Sequence, residues 1–128
     1  SNNDLDLFGE MDTCAKLHKA ATLDPTVLPA ATVLRMATRN GAKALGWEGK
    51  IGELSPGRLA DLIVVDFGQP HLTPVYEPKS HLVYAARGSD VRHSIIHGRL
   101  VMEDRRLLTM DRDEVMQRVR TFARTIKS

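Results

Sequence analysis

The stretch at residues 52–66 does most to limit what this chain can fold into. Its Ser-Pro-Gly sequence at 55–57 predicts a tight turn, because Pro fixes φ and Gly tolerates positive φ. The Leu-Ile-Val-Val run at 62–65 is too short for a helix and rich in β-branched residues. It predicts a strand covered on both faces, which Asp66 ends. The stretch therefore predicts a turn, a buried strand and an exit, with no chemistry attached.

Helical periodicity precedes this stretch. Apolar residues at helical spacing predict a first helix from about Asp4 to Ala21, with polar residues before it as a cap. Pro29 predicts the first residue of a second helical stretch, which Asn40-Gly41 divides in two and Gly46 ends. The many small residues between 30 and 44 indicate close packing against a larger neighbour.

Short strands and a terminal helix are predicted after residue 66. Prolines at 70, 74 and 78 predict an irregular connection over 67–81, and the apolar run at 82–86 predicts another short strand. Residues 91–96, a turn at 97–99 and residues 100–103 predict a β-hairpin with Gly98 at positive φ. Asp111 and Glu114 predict a capping box. The helix that follows has one apolar stripe, expected to dock on the strands, formed by Val115, Val119, Phe122 and Ile126.

Composition argues against several classes of function. With 18 basic and 16 acidic residues the net charge is +2, which gives no electrostatic case for binding nucleic acid or an anionic membrane. An aromatic content of 5% provides no stacking platform for bases. No apolar run is long enough to span a bilayer. The single cysteine, Cys14, rules out an internal disulfide and a Cys-rich zinc site, so a cytoplasmic protein is expected.

The five histidines are not spaced as metal ligands. His93 and His97 are four residues apart, and a strand would separate them by about 13 Å. His18, His71 and His81 have no partner at ligand spacing, and neither His-x-His nor His-Glu-x-x-His occurs. We therefore expect structural or surface roles for all five, with no catalytic and no metal-binding residue in this chain.

These motifs, in this order, resemble those of a known family. The pattern Gly-x-Leu-x-x-Gly-x-x-Ala-Asp-Leu-x-x-x-Asp at 52–66 is similar to a late-sequence signature of the amidohydrolase superfamily. The flanking motifs at 1–11, 37–46, 74–76 and 81–85 resemble the C-terminal part of the 5-methylthioadenosine/S-adenosylhomocysteine deaminases. Chlorohydrolases and guanine deaminases are the relatives behind them.

The resemblance implies an α/β chain that is the C-terminal fragment of a (β/α)8-barrel metal-dependent hydrolase. The 128 residues are too few for a barrel of about 250, and the start at Ser1 without an initiator Met agrees with a fragment. Residues 1–50 would be the last outer helices of the barrel domain. Residues 51–128 would be the C-terminal part of a small β domain, with its hairpin and the terminal helix. Relatives commonly have Gly just after the second hairpin strand, where this chain has Arg105. The sequence therefore does not decide whether a turn follows that strand.

The resemblance also implies a chemistry for the parent enzyme. Zinc or another divalent metal, held by residues that precede this chain, would activate a hydroxide that displaces the amino group from the adenine ring of a nucleoside. Asn2 and Asn3 would border the active site, with a plain helix cap as the alternative. The chain alone would be inactive and bind no metal, and the parent would be a homo-oligomer.

Two alternatives stay open from the sequence. The parent could be a chlorohydrolase or a guanine deaminase of the same superfamily. The chain could instead be a non-catalytic α+β module that acts as a subunit or scaffold. A strongly basic face or a second copy of the strand pattern would favour the module, and the sequence has neither.

Overall fold

The computed structural model describes residues 4–126 and begins with a long helix. This helix, α1, spans Leu7–Thr22 and starts later than predicted, because the side chain that caps it is Asp6. Leu23 at φ 54° closes α1 in the left-handed conformation. Asp24 and Pro25 follow that C-cap, so the predicted end of the helix is confirmed to within a residue or two.

The second helical stretch is continuous through the position predicted to divide it. Helix α2 (Ala30–Arg35) runs through a π-helical segment (Met36–Asn40) into α3 (Gly41–Ala44). The predicted break at Asn40-Gly41 is wrong, because both residues keep right-handed helical dihedral angles. Pro29 is the N-cap and not the first helical residue, and Gly46 at φ 70° ends the stretch as predicted.

Four strands form one antiparallel sheet in the order β1-β2-β3-β4. They are β1 (Leu62–Val65), β2 (Val91–Ile96), β3 (Arg99–Glu103) and β4 (Arg106–Leu107). Leu62 pairs with Ile95 across β1 and β2, so the strand predicted at 62–65 joins the predicted hairpin. Both predictions are confirmed.

Tight two-residue turns join β2 to β3 and β3 to β4. His97 (φ 51°) and Gly98 (φ 75°) form the first turn, and Asp104 (φ 45°) and Arg105 (φ 63°) form the second. Positive φ at both central residues matches the twist of the flanking strands. Arg105 therefore takes the left-handed position that Gly usually fills.

The strand predicted at 82–86 is a helix. Helix α4 spans Pro78–Tyr84, and the Glu77 side chain accepts a hydrogen bond from the Ser80 N–H at 2.8 Å to cap it. Pro78 suits the first turn, where its missing N–H is not needed. An apolar run buried in a helix cannot be told from a buried strand by its pattern, and here the proline and the capping residue were the better signals.

The core lies where α4 packs against α1 and α2. Its buried members come from these helices, from a 3₁₀ turn (Pro70–Leu72) within the predicted irregular connection, and from Ala86 just after α4. Val65 and Val91 bring the end of the sheet into partial contact with this core. The buried cluster consists of Phe8, Met11, Ala15, Val33, Leu72, Val83 and Ala86.

The expectation that β1 is covered on both faces is wrong for the chain as described. Ile63 is 49% exposed and Val64 is 43% exposed. Only the Val65 end of β1 reaches the helical core, and β1 is an edge strand that pairs with β2 alone.

The terminal helix α5 (Arg112–Ile126) is confirmed, but its expected docking is not. Asp111 Oδ1 accepts hydrogen bonds from the N–H groups of Asp113 at 2.9 Å and Glu114 at 3.0 Å, as its predicted cap role requires. No residue of α5 is buried, and Phe122 of the apolar stripe is 66% exposed. Within residues 4–126, no helix is long and apolar enough to cross a membrane.

Candidate functional site

The two residues predicted to border an active site, Asn2 and Asn3, lie outside the described residues. The structure begins two residues before Asp6, which is the N-cap of α1. Asp4 Oδ1 accepts a hydrogen bond from the Asp6 N–H at 3.0 Å. Among the described residues, the side chain that caps α1 is Asp6. The rim role and the alternative cap role of Asn2 and Asn3 both stay predictions.

Asp6 uses its two carboxylate oxygens in two different directions. Oδ1 accepts a hydrogen bond from the Phe8 N–H at 3.0 Å and caps α1. Oδ2 accepts a hydrogen bond from the Gly88 N–H at 2.9 Å, across 82 positions of sequence. One side chain thus joins the start of the first helix to the 3₁₀ turn that precedes β2.

That turn, Gly88–Asp90, is itself held from within. Asp90 is 3% exposed and its Oδ2 accepts hydrogen bonds from the Arg87 N–H at 2.9 Å and from His71 Nε2 at 3.0 Å. A buried carboxylate needs such donors, because an unpaired buried charge is costly. We call Asp6, His71, Arg87, Gly88 and Asp90 the Asp6–Asp90 network. Its hydrogen bonds join the start of α1, the 3₁₀ turn at 70–72 and the turn at 88–90, and its members do not include a nucleophile next to a base.

A third carboxylate, Asp66, links the end of β1 to the same region. It accepts hydrogen bonds from the Gly68 N–H at 2.9 Å, from Gln69 Nε2 at 2.7 Å and from an Arg105 guanidinium nitrogen at 3.2 Å. These partners, Gly68 first, hold the pKa of the Asp66 carboxyl below its ordinary value of 3.8. Arg105 Nε also donates to the Ser89 carbonyl at 3.0 Å, which ties the β3–β4 turn to the Gly88–Asp90 turn.

The remaining histidines are separated from one another. His81 Nε2 lies 3.1 Å from the Pro74 carbonyl oxygen, and His93 lies beside Asp104 on the hairpin. His18 Nδ1 lies 4.0 Å from the sulfur of Cys14 one helical turn earlier, a spacing that the sequence contains and our prediction missed. Among residues 4–126, no three His, Cys, Asp or Glu side chains come close enough to hold a metal ion.

Two surface clefts of the described chain are open and lack converging catalytic groups. One of about 710 Å³ lies where β4 leads into α5 and is lined mainly by arginines and aspartates. Another, of about 230 Å³, lies beside Glu53, which pairs with Arg39 and Arg58. The ion pair of Glu53 with Arg39 connects the 49–58 loop to the helical stretch, and the pair with Arg58 lies within the loop. These charged groups therefore have a structural role beside the cleft.

Sequence reasoning did not find the Asp6–Asp90 network. Its contacts join residues 19 and 82 positions apart, and no local pattern encodes such pairs. A local signal did exist for half of it. Gly, Ser and Asp at 88–90 are residue types that favour a turn, and the position of Asp6 just before an apolar periodic run is typical of an N-cap.

The profile of the amidohydrolase family matches residues 1–101 of the chain, and the chain therefore belongs to that family. The resemblance read from the sequence is confirmed.

Individual proteins match the chain over nearly its whole length. The chain is 81% identical over 127 residues to the 5-methylthioadenosine/S-adenosylhomocysteine deaminase of Syntrophobacter fumaroxidans, covering 99% of the chain and 29% of that protein. It is 54% identical over 123 residues to a 5'-deoxyadenosine deaminase of Methanosarcina acetivorans, covering 96% of the chain and 28% of that protein. The chain thus spans less than a third of the length of these relatives.

Solved structures agree with the fold. A zinc-bound adenosine deaminase of Xanthomonas campestris superposes with a TM-score of 0.96 at 40% identity, covering 99% of the chain and 29% of that structure. An atrazine chlorohydrolase of Arthrobacter aurescens in complex with zinc superposes with a TM-score of 0.80 at 25% identity, covering 89% of the chain and 25% of that structure. The mixed helical and antiparallel arrangement is therefore one that amidohydrolases share.

Proposed function

We propose that this chain is the C-terminal part of a hydrolase that deaminates the adenine ring of 5-methylthioadenosine and S-adenosylhomocysteine. In that reaction water replaces the amino group of the ring, and ammonia leaves. The observation that carries the proposal is the 81% identity, over 127 residues, to a deaminase of those two nucleosides. Identity to the chlorohydrolase is far lower, at 25%.

The parent enzyme would use zinc or another divalent metal, as the zinc-bound relatives suggest. Residues 4–126 do not fit such a metal, because they bring no three ligand side chains together. The ligands would therefore come from elsewhere in the parent protein, and the part described has a supporting role.

The organisation that we propose for the parent rests on the resemblance of the sequence motifs to this family. Residues 1–50 would be the last outer helices of a (β/α)8 barrel, and residues 51–128 would complete a small β domain and add the terminal helix. In the described chain α4, from the second part, packs against α1 and α2 from the first. The two parts would therefore share a core.

Asn2 and Asn3 would lie at the rim of the active site and contact the nucleoside. Their support is the resemblance of the Ser-Asn-Asn start to the loop that follows the last metal-binding Asp in these enzymes, together with the nearby cap of α1. This chain would then contribute residues at the rim of the active site and the helix that follows them.

A substrate panel tests the proposal. The complete protein that contains residues 1–128 would be incubated with 5-methylthioadenosine, S-adenosylhomocysteine, 5'-deoxyadenosine, guanine and atrazine, with released ammonia or chloride as the readout. We expect the highest kcat/KM on the first two compounds. A higher kcat/KM on 5'-deoxyadenosine would reassign the substrate, and chloride release from atrazine without nucleoside turnover would contradict a deaminase.

A further inference from the structure

The apolar stripe of α5, formed by Val115, Val119, Phe122 and Ile126, is uncovered in the described chain. We propose that this stripe docks on the part of the parent enzyme that precedes residue 1, on an apolar surface with a carboxylate at its edge. The inference rests on the proposed function in one respect, because it requires a parent longer than this chain.

The stripe has the form of a contact surface. Its four side chains are spaced four, three and four residues apart, which places them on one side of the helix. They are between 43% and 70% exposed. Apolar residues scattered singly on a surface are ordinary, whereas a contiguous apolar stripe marks a site of contact. Helix α5 therefore presents a face suited to packing against another surface.

Charge beside the stripe defines the edge of the surface that would cover it. Arg118 lies one helical turn before Phe122, and the two line an open cleft of about 360 Å³ together with Val115 and Val119. Residues 115–126 include three arginines and no acidic residue. A guanidinium group at the edge of an apolar contact favours a carboxylate as its partner. The covering surface is therefore apolar at its centre and acidic beside Arg118.

Helix α5 keeps its place in a solved relative. The superposition on the zinc-bound adenosine deaminase, with a TM-score of 0.96, covers 99% of the chain and so includes α5. A 15-residue helix is only marginally stable alone and is held mainly by the packing of its apolar face. Residues 4–126 bury no residue of α5, and this chain corresponds to only 29% of that solved structure. The packing is therefore assigned to the larger part of the parent.

A surface in the same polypeptide is favoured over a separate molecule. A surface joined to α5 within one chain meets it at a much higher effective concentration than a surface on a second molecule. The chain spans 29% of the Syntrophobacter fumaroxidans deaminase, so most of such a parent remains to supply that surface. A second copy of the chain and an anionic lipid surface are the other occupants, which the experiment separates.

Photo-crosslinking in the complete enzyme identifies the occupant. The photoreactive residue p-benzoylphenylalanine would replace Phe122, and in a control it would replace Gln117, which lies on the other side of α5. We expect position 122, and not position 117, to become joined to a peptide that precedes residue 1. A mixture of isotope-labelled and unlabelled enzyme shows whether the product forms within one molecule, as the proposal requires. Products with residues 1–128 of either molecule, products with added anionic phospholipid vesicles, or no product from position 122 overturn the proposal.

Hydrogen exchange of the α5 amides in the complete enzyme is the second measurement. Phe122→Ala should accelerate their exchange about tenfold or more, because it removes the largest side chain of the docked stripe. Gln117→Ala makes a change to the same residue type away from the stripe and should leave the exchange rate unchanged, and Phe122→Leu should retain most of the protection. Equal exchange rates in Phe122→Ala and Gln117→Ala overturn the proposal.

Neither measurement depends on turnover. An enzyme that releases no ammonia from nucleosides, but whose position 122 crosslinks to the preceding part, contradicts the proposed function and supports the docking of α5. An active deaminase whose position 122 gives no such product contradicts the docking of α5 alone.

Discussion

Asp66 is the residue whose ionisation is most clearly tied to the fold. Hydrogen bonds from Gly68, Gln69 and Arg105 hold its pKa below 3.8. A carboxyl group whose pKa is lower in the folded chain than in the unfolded chain stabilises the fold above the unfolded value. That stabilisation is lost as the pH falls through the folded value.

A pH series of urea melts checks this role of Asp66. The free energy of unfolding of the chain should fall as the pH drops below 3.8, and it should fall less steeply in Asp66→Asn, which has no carboxyl to protonate. At neutral pH the variant should be less stable than the wild type. Parallel pH profiles for the two proteins would contradict the account.

Arg105 combines an unfavourable backbone with favourable side-chain contacts. Its φ of 63° is left-handed, and its guanidinium group binds Asp66 and the Ser89 carbonyl. Arg105→Ala and Arg105→Gly both remove the guanidinium, but only Gly relieves the backbone. We expect the Gly variant to be about 1 kcal/mol more stable than the Ala variant in chemical denaturation. Equal stability of the two variants would argue against the left-handed turn.

Among the helices and strands, α5 was predicted correctly as a helix, but the expectation that it docks on the strands was wrong. Its cap and its apolar periodicity are local and were readable, whereas the surface that it faces is a property of the whole fold. Because Phe122 is 66% exposed, Phe122→Ala should change the free energy of unfolding of this chain by less than about 1 kcal/mol.

A buried residue provides the comparison for Phe122. Leu72 is 0% exposed, and Leu72→Ala should cost about 2–5 kcal/mol. Urea denaturation of both variants measures the difference. A cost for Phe122→Ala as large as that for Leu72→Ala would mean that α5 docks within this chain after all.

The elements predicted from the sequence are those specified by neighbouring residues. The hairpin at 91–103 follows from its Gly98 turn, and α5 follows from its Asp111 cap. Helix α4 was mistaken for a strand because Leu82, Val83 and Tyr84 in succession all pack into or against the core, so no polar residue interrupts the run. The continuity of α2 and α3 was missed because the π-helical segment, which ends at Asn40, leads directly into α3 at Gly41.

The same limit applies to the candidate site. Cap residues near α1 could be predicted, since an N-cap depends on a few consecutive residues. The contacts of Asp6 with Gly88, and of His71 with Asp90, depend on how α1, α4 and β2 are arranged in space. Asn2 and Asn3 stay a prediction.

For the molecule as a whole, the main feature is that many large apolar side chains are exposed to solvent. Ile63 and Val64 on the edge strand β1 are about half exposed, and the apolar stripe of α5 is uncovered. An open strand edge pairs with other chains. We therefore expect the isolated 128-residue chain to self-associate.

Sedimentation at several concentrations tests this expectation. The wild-type chain should form larger species as concentration rises, and Ile63→Lys should reduce them, because an edge lysine discourages strand pairing. Leu5→Lys is the matched control, since Leu5 is 96% exposed and belongs to no strand. A concentration-independent monomer with cooperative unfolding would contradict the expectation.

The central claim is that this chain supports an active site whose metal is held elsewhere in the parent enzyme. Calorimetric titration of zinc into the 128-residue chain tests it most directly. We predict no stoichiometric binding below micromolar concentrations, because residues 4–126 bring no three metal ligands together. A stoichiometric site of sub-micromolar dissociation constant would contradict the account.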